Sequence, residues 1–207
     1  MKKKRPARRI RQSPKLPAPE RRQQLLEAAF TLFMKKGYRA TTTEEIARSV
    51  GLTKGALYFH YKNKEELVIE IVGAVCKQIF DTIEAIPREK ATPAVVFRSL
   101  VEAKLGFPEA DFANYLDLWG QAVRIKKVRR MIREMYEQFD LTFADRISLN
   151  YSKPLKQRLD VALLIGAIYD GLWSRMLITG EEPDVKRITR LIEKLIPQQK
   201  ATKSPGM

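Results

Sequence analysis

Residues 42–66, TTEEIARSVGLTKGALYFHYKNKEE, decide how this chain is read. They encode two short helices joined by a glycine turn, with a third helix opening directly after. Thr42 starts a Thr-x-x-Glu box with Glu45, in which the hydroxyl accepts from an early backbone N–H and the carboxylate reaches back to the cap. Ile46, Ala47 and Val50 give that helix one apolar face. Gly51 stands where the chain must turn and a positive φ is required. Leu52 plugs the corner, and Thr53 is a second N-cap for a helix from Lys54 to Tyr61 with Leu57 facing inward. Asn63 caps the next helix, with Glu66 three residues on as its box partner. This is the layout of a helix-turn-helix, whose second helix enters the major groove of DNA.

The side chains of that second helix suit the task. Gly55 and Ala56 carry almost nothing, so the helix backbone can approach base edges. Lys54 can donate to guanine acceptors or to phosphate. Tyr58, His60, Tyr61 and Lys62 offer donors to the groove walls. Lys64 falls in the first turn of the following helix, where free N–H groups already favour phosphate.

The segments LLEAAFTLFMKKGYRATTTEEIA and VGLTKGALYFHYKNKEEL resemble the DNA-binding domain of the TetR family of bacterial transcriptional regulators, over about Arg22 to Ile71. The resemblance implies phosphate contacts from Thr42 or Thr43, from Tyr58 and from His60. It implies base contacts from Lys54 and Gly55, and a phosphate held by Lys64. Many relatives carry phenylalanine at the place of Tyr61, so its hydroxyl is an addition. The interface expected from residues and resemblance together is Thr42, Thr43, Thr53, Lys54, Gly55, Ala56, Tyr58, His60, Tyr61 and Lys64.

Composition agrees. The chain has 207 residues, a formal charge of +15 and a pI near 10.0, which favours a polyanionic partner. Its length accommodates a DNA-binding domain and a larger second domain. One cysteine, Cys76, excludes an intrachain disulfide and a multi-cysteine zinc site, and it lies on an apolar stripe as a small buried hydrophobe. One histidine, His60, leaves no His-rich metal cluster. No nucleophile–base pair, carboxylate dyad or phosphate loop is visible, so the expectation is a non-enzyme with no catalytic residue, metal or cofactor. Polar, proline-rich SPKLPAPERRQ follows the basic start where a signal peptide would need an apolar core. The longest strongly apolar run, Val161 to Tyr169, is short of the ~20 residues of a membrane span. The expected location is therefore the cytoplasm, with no membrane partner.

Four regions are expected: a basic disordered arm over 1–19, a helix-turn-helix domain over 20–66, a helical ligand-binding and dimerisation domain over 67–197, and a polar tail over 198–207. In the arm and the start of the first helix, Lys2, Lys3, Lys4, Arg5, Arg8, Arg9, Arg11, Lys15, Arg21 and Arg22 oppose only Glu20. Such an arm can lie along the DNA backbone or enter the minor groove. Periodicity and breakers then place helices over Arg21–Lys36, Lys64 to about Ile86, Thr92 to about Leu105, Pro108 towards Ile125, Lys127–Leu149, Pro154–Gly180 and Pro183–Ile196. The fold class is all-α, with about nine helices.

NYLDLWGQAV (114–123) and LLIGAIYDGLWSRMLITG (163–180) resemble the C-terminal region of the betaine-regulator type within the same family. That resemblance implies a four-helix bundle formed by the last two helices and their copies in a second subunit. Leu163, Leu164, Ala167, Gly171 and Met176, with Ile188, Leu191, Ile192 and Leu195, supply more apolar surface than one helix pair can cover alone. Phe112, Tyr115, Trp119, Tyr136, Phe139, Tyr169 and Trp173 are the aromatic residues expected around a ligand pocket, with Asp117 and Asp170 as carboxylates available to a cationic ligand. The expected function is a homodimeric repressor that binds a palindromic double-stranded operator and is released by a small-molecule effector whose identity the sequence does not name. The alternative is a non-specific architectural DNA-binding protein, which would have no use for the aromatic-rich C-terminal region.

Overall fold

The computed structural model describes residues 16–103 and 112–196. The first fifteen residues of the basic arm, the Gly106–Pro108 break and the polar tail lie outside that range, as do the side chains of Phe112 and Tyr115. Among the described residues the fold is all-α: α1 (Ala18–Lys36), α2 (Thr43–Ser49), α3 (Lys54–His60), α4 (Lys64–Glu84), α5 (Pro93–Glu102), α6 (Phe112–Ala122), α7 (Lys126–Arg146), α8 (Leu155–Thr179) and α9 (Val185–Leu195), with a single 3-10 turn at Arg88–Lys90.

The caps follow the residues that encode them. Thr92 Oγ1 accepts from Val95 N at 3.2 Å ahead of Pro93 in the first turn of α5. Gly180 closes α8 at φ 71°. Several boundaries differ from the expected ones. α1 starts at Ala18 rather than Arg21, because Pro19 falls in the first turn, where its missing N–H costs nothing. α9 starts after Asp184, whose carboxylate accepts from Arg187 N at 2.9 Å, leaving Pro183 outside the helix. α6 and α7 are separated by a turn over 123–125 with no glycine or proline to announce it, held by Arg124 N to Gln121 O at 3.1 Å.

Two apolar cores result. The first joins Leu25, Phe33, Ile46, Leu57, Leu67 and Ile71 of α1–α4 with Leu118 and Ala122 of α6 and Val128 of α7. The second joins the C-terminal part of α4 to α5, α7, α8 and α9 through Ile83, Phe97, Leu100, Phe143, Ile165 and Ile192. Each fully buried Leu, Ile or Phe contributes about 1.5–3 kcal/mol relative to exposure. The helix-turn-helix core thus extends into α6 and α7.

α8 packs on α7 and α5, and α9 packs on α5. Both leave apolar surface uncovered: Leu163, Leu164 and Ile178 on α8, and Leu191 and Leu195 on α9, are exposed. α8 has the length and mean hydropathy (1.5) of a membrane span, and only 22% of that window is buried inside the protomer. Met176 and Ile192, expected on the outer face, are buried within the protomer. Gly166 also serves an internal contact, since a Cβ there would meet the Phe139 ring at 3.4 Å.

Candidate nucleic-acid interface and regulatory cavity

The helix-turn-helix assembles as its residues dictate. Thr42 Oγ1 accepts from Glu45 N at 3.2 Å, and the Glu45 carboxylate accepts from Thr42 N at 2.9 Å. Glu45 is also paired with Lys36, and that contact together with the bonds from Thr42 holds its carboxyl down at about 2. Gly51 turns at φ 72°, and Leu52 N donates to Ala47 O at 2.8 Å. Thr53 Oγ1 accepts from Ala56 N at 3.3 Å. Arg22 ties α1 to the end of α3 and to α4: it donates to His60 O at 2.6 Å and to the Glu70 carboxylate at 2.5 and 3.2 Å, with its guanidinium over the Tyr61 ring.

The expected contact residues divide by environment. Lys54, Gly55 and Tyr58 are exposed on α3, and Lys54 Nζ stands 5.8 Å from the centre of the Tyr58 ring. Thr43 Oγ1 and Tyr58 Oη lie 3.3 Å apart, so two hydroxyls from α2 and α3 form one polar edge. Ala56 is partly covered. The hydroxyls of Thr42 and Thr53 are committed to caps, so Thr43, whose hydroxyl meets Tyr58 instead, is the one of the pair 42–43 outside a cap. His60 is half-buried; burial first, then Arg22 and Arg21, push its imidazole below the usual value, favouring the neutral form with one N–H donor.

Two expectations are corrected. Tyr61 is fully buried and its hydroxyl donates to Arg22 O at 3.1 Å, so it packs the domain and offers nothing to the groove. Lys64 does not stand free for phosphate. Its ammonium donates to Tyr38 O at 2.7 Å and Thr41 O at 2.9 Å and lies 4.0 Å from the Tyr38 ring centre. Burial lowers its pKa, with Asp117 acting in the opposite sense. The box at Asn63 is also shifted: Asn63 Oδ1 accepts from Glu66 N at 2.9 Å, while the Glu66 carboxylate accepts from Lys62 N at 2.8 Å. Sequence reasoning passed over Phe59, which is 84% exposed on α3. Its position between two named contact residues was the available signal.

A cavity of about 370 Å³ lies between α4, α6, α7 and α8. Trp119, Tyr136, Tyr169 and Trp173 line it together with Cys76, Met135, Asp170 and Ser174. Tyr136 Oη donates to Asp170 Oδ2 at 2.6 Å. Burial raises the Asp170 pKa, and the tyrosine bond opposes that rise. Tyr169 and Trp173 meet edge to face at 5.8 Å. Phe139 instead belongs to the second core, stacked near Phe143, and reaches only a small recess of about 30 Å³ beside the cavity. Cys76 is a buried wall residue whose thiol burial pushes upward in pKa.

α6 stands between the cavity and the helix-turn-helix. Leu116 and Trp119 face the cavity. On its other side Asn114 Nδ2 donates to Met34 O at 3.1 Å. Gly37, at φ 84°, approaches so closely that a Cβ there would lie 3.0 Å from Asn114 Oδ1 and 3.6 Å from Asp117 Oδ2.

Residues 25–71 match the family described as "Bacterial regulatory proteins, tetR family". The HTH-type transcriptional regulator BetI of Cronobacter sakazakii is 24% identical over 192 residues, covering 90% of this chain and 94% of the relative. The HTH-type transcriptional repressor KstR2 of Mycobacterium tuberculosis is 29% identical over 156 residues, covering 74% and 78%. The fold is shared with a protein from Saccharomonospora viridis described as a transcriptional regulator and solved in complex with choline, at TM-score 0.61 and 18% identity, over 88% of this chain and 100% of that one. These likenesses centre on the helix-turn-helix built above: residues 25–71 carry the N-terminal domain of the TetR family, and the relatives that match along most of the chain are helix-turn-helix transcriptional regulators.

Proposed function

We propose that the protein is a homodimeric repressor that leaves its operator when a small organic cation occupies the cavity between α4, α6, α7 and α8. The observation that carries this reading is the two-sided α6: Trp119 reaches the cavity, and Asn114 holds the backbone at the end of α1. A ligand pressing on one face of that helix changes the grip of the other on the reading head.

Exposed Leu163, Leu164, Leu191 and Leu195 favour a second copy as the cover for α8 and α9. In such a dimer the two α3 helices must sit about 34–36 Å apart to enter successive major grooves on one face of DNA. Thr43, Lys54, Gly55, Ala56, Tyr58 and His60 are the residues proposed to touch a palindromic operator, with hydroxyls and the imidazole on phosphates and Lys54 at base edges. A ligand that binds better to a dimer of different spacing lowers operator affinity by its differential binding free energy.

The cation class follows from the cavity. Asp170 presents a carboxylate among the rings of Trp119, Tyr136, Tyr169 and Trp173, the combination that recognises an ammonium group by charge and cation–π attraction. The choline-bound structural relative supports the same class. Calorimetry with choline and with its neutral isostere 3,3-dimethyl-1-butanol tests the point. The reading requires that choline bind and reduce DNA affinity while the isostere does neither. Equal binding of the two would remove Asp170 from recognition.

A further inference from the structure

Phe59 is the most exposed large apolar side chain among the described residues, at 84%. It sits one residue before the C-terminal end of α3, between Tyr58 and His60, which both offer a hydrogen bond where it offers none. Helix geometry fixes where it points. Successive residues turn by about 100°, so Phe59 lies about 200° from Leu57, the residue that α3 buries fully, and on the opposite side of the helix. Gly55 lies four residues before Phe59, on that same outward face. A Cβ built on Gly55 would find only Thr53 Oγ1, at 3.9 Å, so nothing in the protein fills that space. The ring is also held: it meets His60 edge-on at 5.2 Å and 89°.

We propose that Phe59 is a specificity-determining residue that reads the 5-methyl group of thymine in the major groove. The proposal rests on α3 being the helix that enters the groove. A phenyl ring cannot donate to a phosphate, and the thymine methyl is the one apolar feature that base edges present in that groove. The bare Gly55 turn beside it lets the helix come close enough for the ring to reach a base edge. An exposed ring of this size is unfavourable in water, and burying it against a methyl recovers part of that cost.

The test starts from duplexes selected by the full-length protein from a random-sequence pool. Each thymine of the selected site is then replaced by deoxyuridine, which removes only the methyl group, and affinity is measured for wild type, Phe59→Ala and Phe59→Met. Wild type should lose about fourfold per methyl at one or two positions in each half-site, the value expected for one buried methyl group. Phe59→Ala should bind thymine and deoxyuridine duplexes equally at those positions, and Phe59→Met should keep part of the discrimination. A wild type indifferent to every methyl, or a Phe59→Ala protein with undiminished methyl sensitivity, overturns the assignment. Failure of the selection to give any consensus would instead reject the underlying reading of α3, so the two failures are distinguishable.

Discussion

Replacing Lys64 by methionine separates two roles that the side chain cannot play together. In the structure its ammonium is spent on the carbonyls of Tyr38 and Thr41, at 2.7 and 2.9 Å, and on the face of the Tyr38 ring. Methionine fills the same volume and removes the charge, taking the ammonium donor from the Thr41 carbonyl and leaving the Tyr38 carbonyl with only Thr41 N, at 3.3 Å. Hydrogen bonds to a charged group contribute about 1.5–3 kcal/mol each, and the desolvation that lowers the lysine pKa offsets part of that. A net loss of about 2 kcal/mol is expected, which lowers the thermal midpoint of a protein of this size by about 4–8 °C. DNA affinity should fall because the 37–41 segment loosens beneath α2, yet the slope of log K against log salt should stay as it is. A lost phosphate contact would flatten that slope by about 0.9. Differential scanning calorimetry and anisotropy titrations across salt measure both quantities. An unchanged midpoint with a slope shallower by about one would refute the structural role and return Lys64 to the DNA backbone.

Tyr58→Phe should weaken binding to all sequences several-fold without altering stability, because it removes one exposed hydroxyl from the edge it shares with Thr43; filter binding on selected and scrambled duplexes checks this. Asn114→Ala should leave cavity binding intact but reduce effector-induced release about fivefold, the worth of one hydrogen bond of about 1 kcal/mol, as read by operator titrations with and without choline. Choline affinity should decline on acidification. Only the ionised Asp170 attracts the cation, and burial raises its pKa, so the loss begins at a higher pH than for an ordinary carboxylate; calorimetry from pH 7.5 downward should show this in wild type and not in Asp170→Asn. Leu191→Glu should fold as a monomer, since Leu191 is 47% exposed in the protomer, and should lose cooperative binding to a two-fold site, as sedimentation and footprinting would report.

The fold was legible wherever a local residue had to satisfy the backbone. Thr42, Thr53, Asn63 and Thr92 each announce a helix start and each caps one, and Gly51 and Gly180 turn with positive φ. The break between α6 and α7 was expected between Ile125 and Lys127 and falls at 123–125, because Val123, Arg124 and Ile125 carry no turn chemistry and the packing of Leu118, Ala122 and Val128 on the first core sets where the chain turns. The side chains proposed for the DNA-facing side of α3 could be chosen by residue type but not by orientation. Helical spacing places Tyr61 beside Leu57, and that alignment buries its hydroxyl where donor chemistry alone suggested a contact. Lys64 illustrates the same limit, because its carbonyl partners lie 23 and 26 residues earlier. The cavity was legible as a set of aromatics. Tertiary placement then separated Trp119, Tyr136, Tyr169 and Trp173 at its wall from Phe139 in the core, and brought in Cys76 and Met135 from helix stripes that read as plain core.

In the proposed dimer, one rigid pair of protomers places two α3 helices on one face of DNA. Sedimentation of the full chain alone and with the selected duplex tests it most directly. The expected result is a dimer at micromolar concentration and two chains on each duplex, with protected half-sites one helical turn, or a whole multiple of it, apart. A chain that sediments as a monomer and still protects a two-fold symmetric site would contradict it, because nothing would then set the distance between the two reading helices.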